Sequence, residues 1–312
     1  MEKEKFLGSL IGCAVGDAIG EMAFLYPKKE LLCRKIEEAE KLIYTDDTAM
    51  AIAIARSLIK EGDIHEEKLG MELMEEFKKE PWRGYASGPP AVFRMVIQEG
   101  ISFYEAAKRL YSGEGSYGNG AAMRIAPVSL FFHSLPSEKF YEKAMLSARL
   151  THAHPLGIDG AAVQARAIAI AFEMDPEEEF PKKDFIEELI LFSKTDKIKE
   201  KLILVKELIE KDVPEDVSAS LLGRSVAVHE SMPFAIYSFL KYPKSFKRCL
   251  LCAILNGGDR DTLGAMACSI SGAYLGIGRI PEKWMKKLEN FELIKELSER
   301  LYEVHNEYCR IR

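Results

Sequence analysis

Two acidic segments stand out for what their side chains could hold. TDDTAM (Thr45–Met50) sets two adjacent carboxylates between two hydroxyls, directly ahead of the apolar run Met50–Ala55. NGGDRDTLGAM (Asn256–Met266) places Asp259 and Asp261 ahead of Thr262 and a second run of small and apolar residues. Either segment alone reads as a helix start, because Asp and Thr accept hydrogen bonds from the free N–H groups of a first turn and acids suit the positive end of a helix. A cap needs only one such residue, however, and here the same oxygen donors recur in two similar settings. If the two helices pack side by side, four carboxylates converge in a partly dry space, where mutual repulsion raises their pKa values and costs stability. A pair of hard divalent cations such as Mg²⁺ or Mn²⁺ relieves that repulsion, and Thr45, Asp46, Asp47, Asp259, Asp261 and Thr262 are suitable oxygen ligands.

Two further motifs carry polar chemistry. GEGSYGNGAAMR (Gly113–Arg124) has glycine at 113, 115, 118 and 120 and is expected to lead from Gly120 into a helix over Ala121–Leu130. A glycine loop with free N–H groups ahead of a helix suits an anion. It is neither a strand-borne GxGxxG nor a Walker A motif, since no GK[ST] follows, and a plain glycine turn fits it equally. THAHP (Thr151–Pro155) puts two imidazoles at a helix start, where a neutral ring could donate to a phosphate; a structural polar knot is the alternative. His65, His133, His229 and His305 stand in no such setting.

The elements that must position these residues are helices. Apolar residues recur at helical spacing over Phe6–Ile19, Asp47–Lys60, Glu66–Lys79, Phe140–Arg149, Gly157–Glu173, Phe185–Phe192, Val226–Leu240 and Phe291–Tyr308, while strand-like alternation is nearly absent. The pattern predicts an all-α protein of a dozen or more helices in a single domain over 1–312, because no linker is rich enough in Pro, Gly or Ser to divide it. Gly8, Gly12, Gly16 and Gly20 recur every fourth residue and so share one helix face. Each interior glycine costs roughly 1 kcal/mol of helix propensity, so the stripe implies a close approach by another helix or a ligand. Gly264, Gly272 and Gly276 form a similar stripe, and both are expected in one core.

Composition narrows the function. A net charge of −6 and a pI near 5.7 argue against nucleic acid as a bulk partner. The longest uncharged run, Thr262–Gly278, has 17 residues, short of the ~20 apolar residues that a membrane span needs. The mixed-charge N-terminus makes a poor signal peptide, so a cytoplasmic location is expected. Six scattered cysteines read as core residues, because the one CxxC, Cys249–Cys252, has no second pair or nearby His to complete a zinc set.

GDAIG (Gly16–Gly20), TDDTAM, GNGAAMRIAP (Gly118–Pro127), THAHP and NGGDRDTLGAM, in that order, resemble the ADP-ribosylglycohydrolase family over essentially the whole chain. The resemblance implies a compact orthogonal helical bundle of that family's type, two Mg²⁺ or Mn²⁺ ions, and hydrolysis of the bond between ADP-ribose C1″ and an acceptor. The acceptor would be an ADP-ribosylated protein or a small ADP-ribose conjugate. By the same resemblance Thr45, Asp46, Asp47, Asp259, Asp261 and Thr262 are the metal ligands. Gly115, Ser116, Tyr117, Gly118 and Asn119 cradle the diphosphate and ribose, and His152 faces the phosphates.

Two departures bear on catalysis. Many family members carry a glutamate seven residues after the Asp of the GD motif, used as acid or base; here that position is Phe24. Some carry an acid in the stretch corresponding to YASGPPAVFRM (Tyr85–Met95), and here it has none. Asp46, Asp47 and Asp261 remain as catalytic candidates, with Glu21 the nearest substitute acid. Three residues before Phe24 on a helix, Glu21 is expected to reach the same cleft only if the chain unwinds after Gly20. The alternative reading is an ADP-ribose-binding protein with little or no turnover.

Overall fold

The helical spacing of apolar residues becomes helix through most of the chain. A computed structural model describes residues 2–311, and within them two isolated bridges, Leu42 with Leu288 and Gly118 with Ala227, are the sole β-type pairings. The first third holds α1 (Glu2–Leu25), α2 (Lys29–Glu38), α3 (Asp46–Glu61), α4 (Glu66–Lys79), α5 (Gly88–Glu99) and α6 (Phe103–Arg109). Next come α7 (Ala126–Phe132), α8 (Ser137–Ala148), α9 (Pro155–Glu173), α10 (Lys182–Phe192), α11 (Asp196–Glu210) and α12 (Glu215–Leu222). The chain closes with α13 (Val228–Lys241), α14 (Phe246–Leu255), α15 (Arg260–Leu275), α16 (Glu282–Lys287) and α17 (Phe291–Ile311). Every stretch with helical spacing lies on one of these, with displaced ends. The fold is all-α, as the pattern predicted.

One expected helix is absent. Ala121–Leu130 is not continuous: Asn119–Ala121 forms a 3₁₀ turn and α7 begins only at Ala126. Pro127 supplies the reason. A proline is tolerated in a helix's first turn but inside a helix it removes an N–H and clashes with the preceding turn, so α7 starts around it. The backbone ahead of it turns back on Asn119, whose carbonyl accepts from the Ala122 and Met123 N–H groups at 2.8 and 3.0 Å.

The centre of the molecule is the antiparallel pair α1 and α15. A Cβ at Gly8, Gly12, Gly16 or Gly20 would lie 2.3, 2.6, 2.2 or 2.4 Å from the backbone oxygen of Gly272, Cys268, Gly264 or Arg260 respectively. Each four-residue step along α1 is thus a four-residue step back along α15, and the two backbones touch with no side chain between them. The stripes pair as expected, with Cys268 standing among the glycines of α15. α1 is long and apolar enough to cross a membrane, yet it is enclosed by α3, α7, α9, α15 and α17, with 89% of its apolar window buried. The pairing brings the C-terminal half of α1 to the N-terminus of α15, where Gly20 abuts the Asp261 Cα. α3 packs against both helices, so both acidic segments meet there.

Candidate metal and anion site

Asp17 underlies the site. Fully buried on α1, its carboxylate accepts from the Thr45 N–H at 3.0 Å, the Thr48 N–H at 3.1 Å, and both threonine hydroxyls. These are first-turn donors of α3, whose own N-cap, Thr45, makes no side-chain cap. Asp17 therefore caps α3 from a neighbouring helix. That leaves Asp46 and Asp47 with no capping duty, and the helix-start reading of TDDTAM does not account for them. Thr45 Oγ1 lies 2.8 Å from Asp17 Oδ1 and 3.1 Å from Asp47 Oδ2, and its single hydrogen cannot serve both. Asp47 Oδ1 is buried without any hydrogen bond.

The second segment is held by different means. Gly257 and Gly258 adopt φ of +86° and +79°, turning the chain from α14 into α15, and the Asp259 N–H donates to the Arg224 carbonyl at 2.9 Å. Asp259 is the N-cap of α15 but does not cap it with its side chain. Its Oδ2 accepts instead from Asn119 Nδ2 at 2.7 Å, which ties the glycine loop to the acidic segment. Asn119 is fixed in turn by its N–H to the Val226 carbonyl at 2.8 Å and by Ser231 Oγ at 3.2 Å. Asp261 Oδ1 takes the Thr262 N–H at 2.9 Å.

Electrostatics follow from this crowding. Burial first, and then the charge of Asp17, raises Asp46 to about 7. Burial, then Asp259 and Asp17, raises Asp261 to about 8. Asp47 is driven well above the carboxylate range by burial, then by Asp17 and Asp261. Asp17 itself rises only to about 6, because the threonine hydrogen bonds oppose the effect of burial. The acids face the cavity without closing on one point: among the described residues no three carboxylate, imidazole or thiol groups form a ready ligand shell. The donor set still fits hard divalent cations, with carboxylate and hydroxyl oxygens, one of them buried and unpaired, and charges that repel unless neutralised.

The cavity between these elements has a volume of about 240 Å³. Asp46, Asp47, Asp259, Asp261 and Thr262 line it, as do Ser116, Gly118, Asn119, Gly120, Thr151 and His152. A larger hollow of about 680 Å³ lies between Glu179–Asp184 and Pro243–Lys244, but no buried polar group converges there. In the glycine loop the N–H groups of Gly113, Gly115, Gly118 and Asn119 bond within the protein, so those four are not free for an anion. Its glycines provide room. A Cβ at Gly120 would lie 2.8 Å from His152 Cε1, and one at Gly118 would lie 3.5 Å from His152 Nε2.

The remaining candidates sit around this cavity. Thr45 lies beneath it, bound to Asp17. Gly115, with φ of +74°, packs on the backbone of Ala153 and His154, while Tyr117 is half exposed against the rings of His154 and His229. The THAHP pair divides: His154 Nδ1 accepts from the Leu156 N–H at 3.1 Å and caps α9, and His152 alone reaches the cavity. α1 runs unbroken to Leu25, so the unwinding after Gly20 that would bring Glu21 into the cleft does not occur. Glu21 is exposed and does not line the cavity, and its charge is the smallest of those that raise Asp261. Phe24, 46% exposed, shares the face of Asp17 and Glu21.

Sequence reasoning missed three residues: Asp17, Arg83 and Arg124. Each is a charge in an otherwise apolar or glycine-rich stretch, which is the signal that could have found them. Arg83 donates to the Tyr44 carbonyl at 2.9 Å and to Glu289 and Glu80 at 2.6 and 2.8 Å. Its own carbonyl accepts from the Asp46 N–H at 2.8 Å, which holds the segment from Glu80 to Ser87 against the acids. Arg124 is wholly buried beside Thr151.

Comparison with known proteins identifies the family. The sequence model of the ADP-ribosylglycohydrolase family matches residues 1–310. ADP-ribosylhydrolase ARH3 of Mus musculus is 35% identical, over 97% of this chain and 92% of that protein. ADP-ribosylhydrolase ARH3 of Homo sapiens is 34% identical, over 96% and 93%. An uncharacterised protein of Archaeoglobus fulgidus is 30% identical, over 97% of each. The solved structure of an ADP-ribosylglycohydrolase-related protein complex superposes with a TM-score of 0.71 over 97% of this chain and 99% of that one; at 20% identity it speaks to the fold. A match that takes in every segment of the cavity wall, from Asp46 to Thr262, places this chain in the ADP-ribosylglycohydrolase family.

Proposed function

We propose that the protein is a hydrolase that releases ADP-ribose from an ADP-ribosylated protein side chain or a small ADP-ribose conjugate, with the aid of two divalent cations, Mg²⁺ or Mn²⁺. Thr45, Asp46, Asp47, Asp259, Asp261 and Thr262 would hold the cations. One observation carries the reading: acidic segments from opposite ends of the chain, neither used to cap its helix in the ordinary way, line one cavity with a neutral imidazole and a glycine loop. The family supports ADP-ribose as the group recognised.

Bound cations supply Lewis-acid stabilisation of charge as the C1″ bond opens, and the protein's residues do the rest. Asp17 and Asn119 hold the two acidic segments in place. His152, kept neutral at a pKa lowered to about 3 by burial and the charge of Arg124, donates to a phosphate oxygen. Gly118 and Gly120 leave room for the diphosphate beside it. Glu21, exposed on α1 outside the cavity lining, would be the nearest further acid for the proton that a departing N- or O-linked acceptor needs.

The test is incubation with a panel of ADP-ribosylated acceptors and Mg²⁺ or Mn²⁺, with mass detection of free ADP-ribose. Neither release nor binding of ADP-ribose would overturn the proposal. Binding without release would favour the second reading, a binding protein with little turnover. The observation on its side is Phe24, which stands in the last turn of α1 where the family resemblance leads one to expect glutamate.

A further inference from the structure

We infer that Arg124 and Thr151 are positioning residues that lock His152 in the tautomer whose Nε2–H faces the cavity. The inference rests on the proposed function only for the identity of the ligand. Arg124 is a fully buried side chain on the short stretch between the glycine loop and α7. Its Nη2 donates to Thr151 Oγ1 at 2.7 Å, its Nη1 lies 3.3 Å from Met50 Sδ, and its Nε has no partner. A buried cation is costly unless something nearby requires it. Here two groups do: Asp46, whose charge favours the guanidinium, and the hydroxyl of Thr151.

The direction of the hydrogen bonds follows from what each group can do. A guanidinium only donates, so Thr151 Oγ1 accepts from Arg124. The threonine's own hydrogen then goes to its other polar neighbour, His152 Nδ1, 2.7 Å away. With Nδ1 accepting, a neutral imidazole carries its proton on Nε2. The opposite tautomer would make Thr151 Oγ1 accept twice, strand a hydroxyl hydrogen in a fully buried position, and turn a lone pair towards the cavity. Nε2 does face that way: a Cβ at Gly120 would stand 3.0 Å from it. The positive charge of Arg124 also opposes protonation of the ring, so His152 stays a neutral donor rather than a titrating one. The device gives an anionic ligand a donor whose orientation and charge do not change over the working pH range. Arg124 also links the two halves of the site, since it acts on Asp46 at one end and on His152 at the other.

The test reads the tautomer directly. Nitrogen-15 shifts of His152 in histidine-labelled wild-type protein, without ligand, are expected to show an unprotonated Nδ1 and a protonated Nε2. Thr151→Val should move the ring to a mixture or to the Nδ1–H form, and Thr151→Ser, which keeps the hydroxyl, should restore the wild-type pattern. This pair avoids dependence on Arg124 variants, which can fail to fold. By calorimetry, ADP-ribose should bind Thr151→Val about tenfold more weakly, like His152→Ala, and the double variant should bind no worse than His152→Ala alone. A wild-type ring protonated on Nδ1 would overturn the inference, as would weaker binding by Thr151→Val with an unchanged tautomer. If wild type does not bind ADP-ribose, the functional proposal fails, and the nitrogen shifts alone decide this one.

Discussion

At the scale of single residues, the proposed proton transfer can be tested at Glu21 and Phe24. Asp17, Glu21 and Phe24 stand at i, i+4 and i+7 on α1 and so share one helix face, with Asp17 buried and Glu21 and Phe24 exposed further along it. With phenylalanine at the outermost position, wild type is expected to release ADP-ribose slowly from linkages whose leaving group needs a proton. Glu21→Gln should slow that release further, and Phe24→Glu should speed it, within the 10²–10⁴-fold, to order of magnitude, that general acid–base help provides. Single-turnover release measures both; no effect of Glu21→Gln would show that the acids of α3 and α15 suffice without it. Gly118 offers a second test at this scale. Its φ of −64° suits any residue, and the atom nearest a Cβ there is the Ser116 hydroxyl at 3.3 Å, the free end of a short side chain, so Gly118→Val should still fold while its side chain enters the space beside His152. Calorimetry should then show ADP-ribose affinity lowered by at least tenfold, to order of magnitude, with the melting temperature little changed. Wild-type affinity would remove the loop from the site.

At the scale of elements, the contact between α1 and α15 decides whether the acids meet. Gly16→Ala sets two effects against each other. Alanine gains roughly 1 kcal/mol in helix propensity. Its Cβ would stand 2.2 Å from the Gly264 carbonyl oxygen, however, a backbone atom that can move only with its helix. Overpacking of that kind costs about 1–3 kcal/mol, so destabilisation wins. Gly278→Ala is the control, because a Cβ there meets nothing within 4 Å. Urea unfolding should show Gly16→Ala destabilised and Gly278→Ala close to wild type; equal stability of the two would mean that the helices separate at little cost. Because Asp17 follows Gly16 directly, and its carboxylate caps α3, separation at this point should also loosen TDDTAM.

At the scale of the whole molecule, the acids couple charge to stability. Asp17, Asp46 and Asp261 have folded-state pKa values of about 6, 7 and 8, all above the unfolded carboxylate value of about 3.9. Without cations the native state therefore binds more protons than the unfolded state between about pH 4 and 8, and the cluster's contribution to stability is lost as pH rises through that window. Bound cations should take over from those protons. Calorimetry with a chelator is expected to show a melting temperature that falls from about pH 5 to 8, less steeply in Asp261→Asn, and a recovery on adding Mg²⁺ that is largest at the alkaline end. Identical profiles with and without chelator, together with elemental analysis showing no metal, would exclude the cation site.

What the amino-acid sequence determined by itself was local and periodic. Helical spacing marked the elements, the four-residue recurrence of Gly8 to Gly20 announced a close helix contact, and the two Asp–Thr segments announced an oxygen-donor site. Residue types alone could not separate a cap from a ligand, because both uses need an oxygen at a helix start. The tertiary structure decided against the cap alone, by bringing Asp17 on α1 to the first turn of α3 and so leaving Asp46 and Asp47 buried and free of capping. The same holds for His152, whose proposed role depends on Arg124 and a cavity wall drawn from distant segments. The break in the expected Ala121–Leu130 helix was readable in principle, since Pro127 stood inside it. Register, burial and borrowed caps are long-range properties, and they exist only once the backbones of α1 and α15 have met.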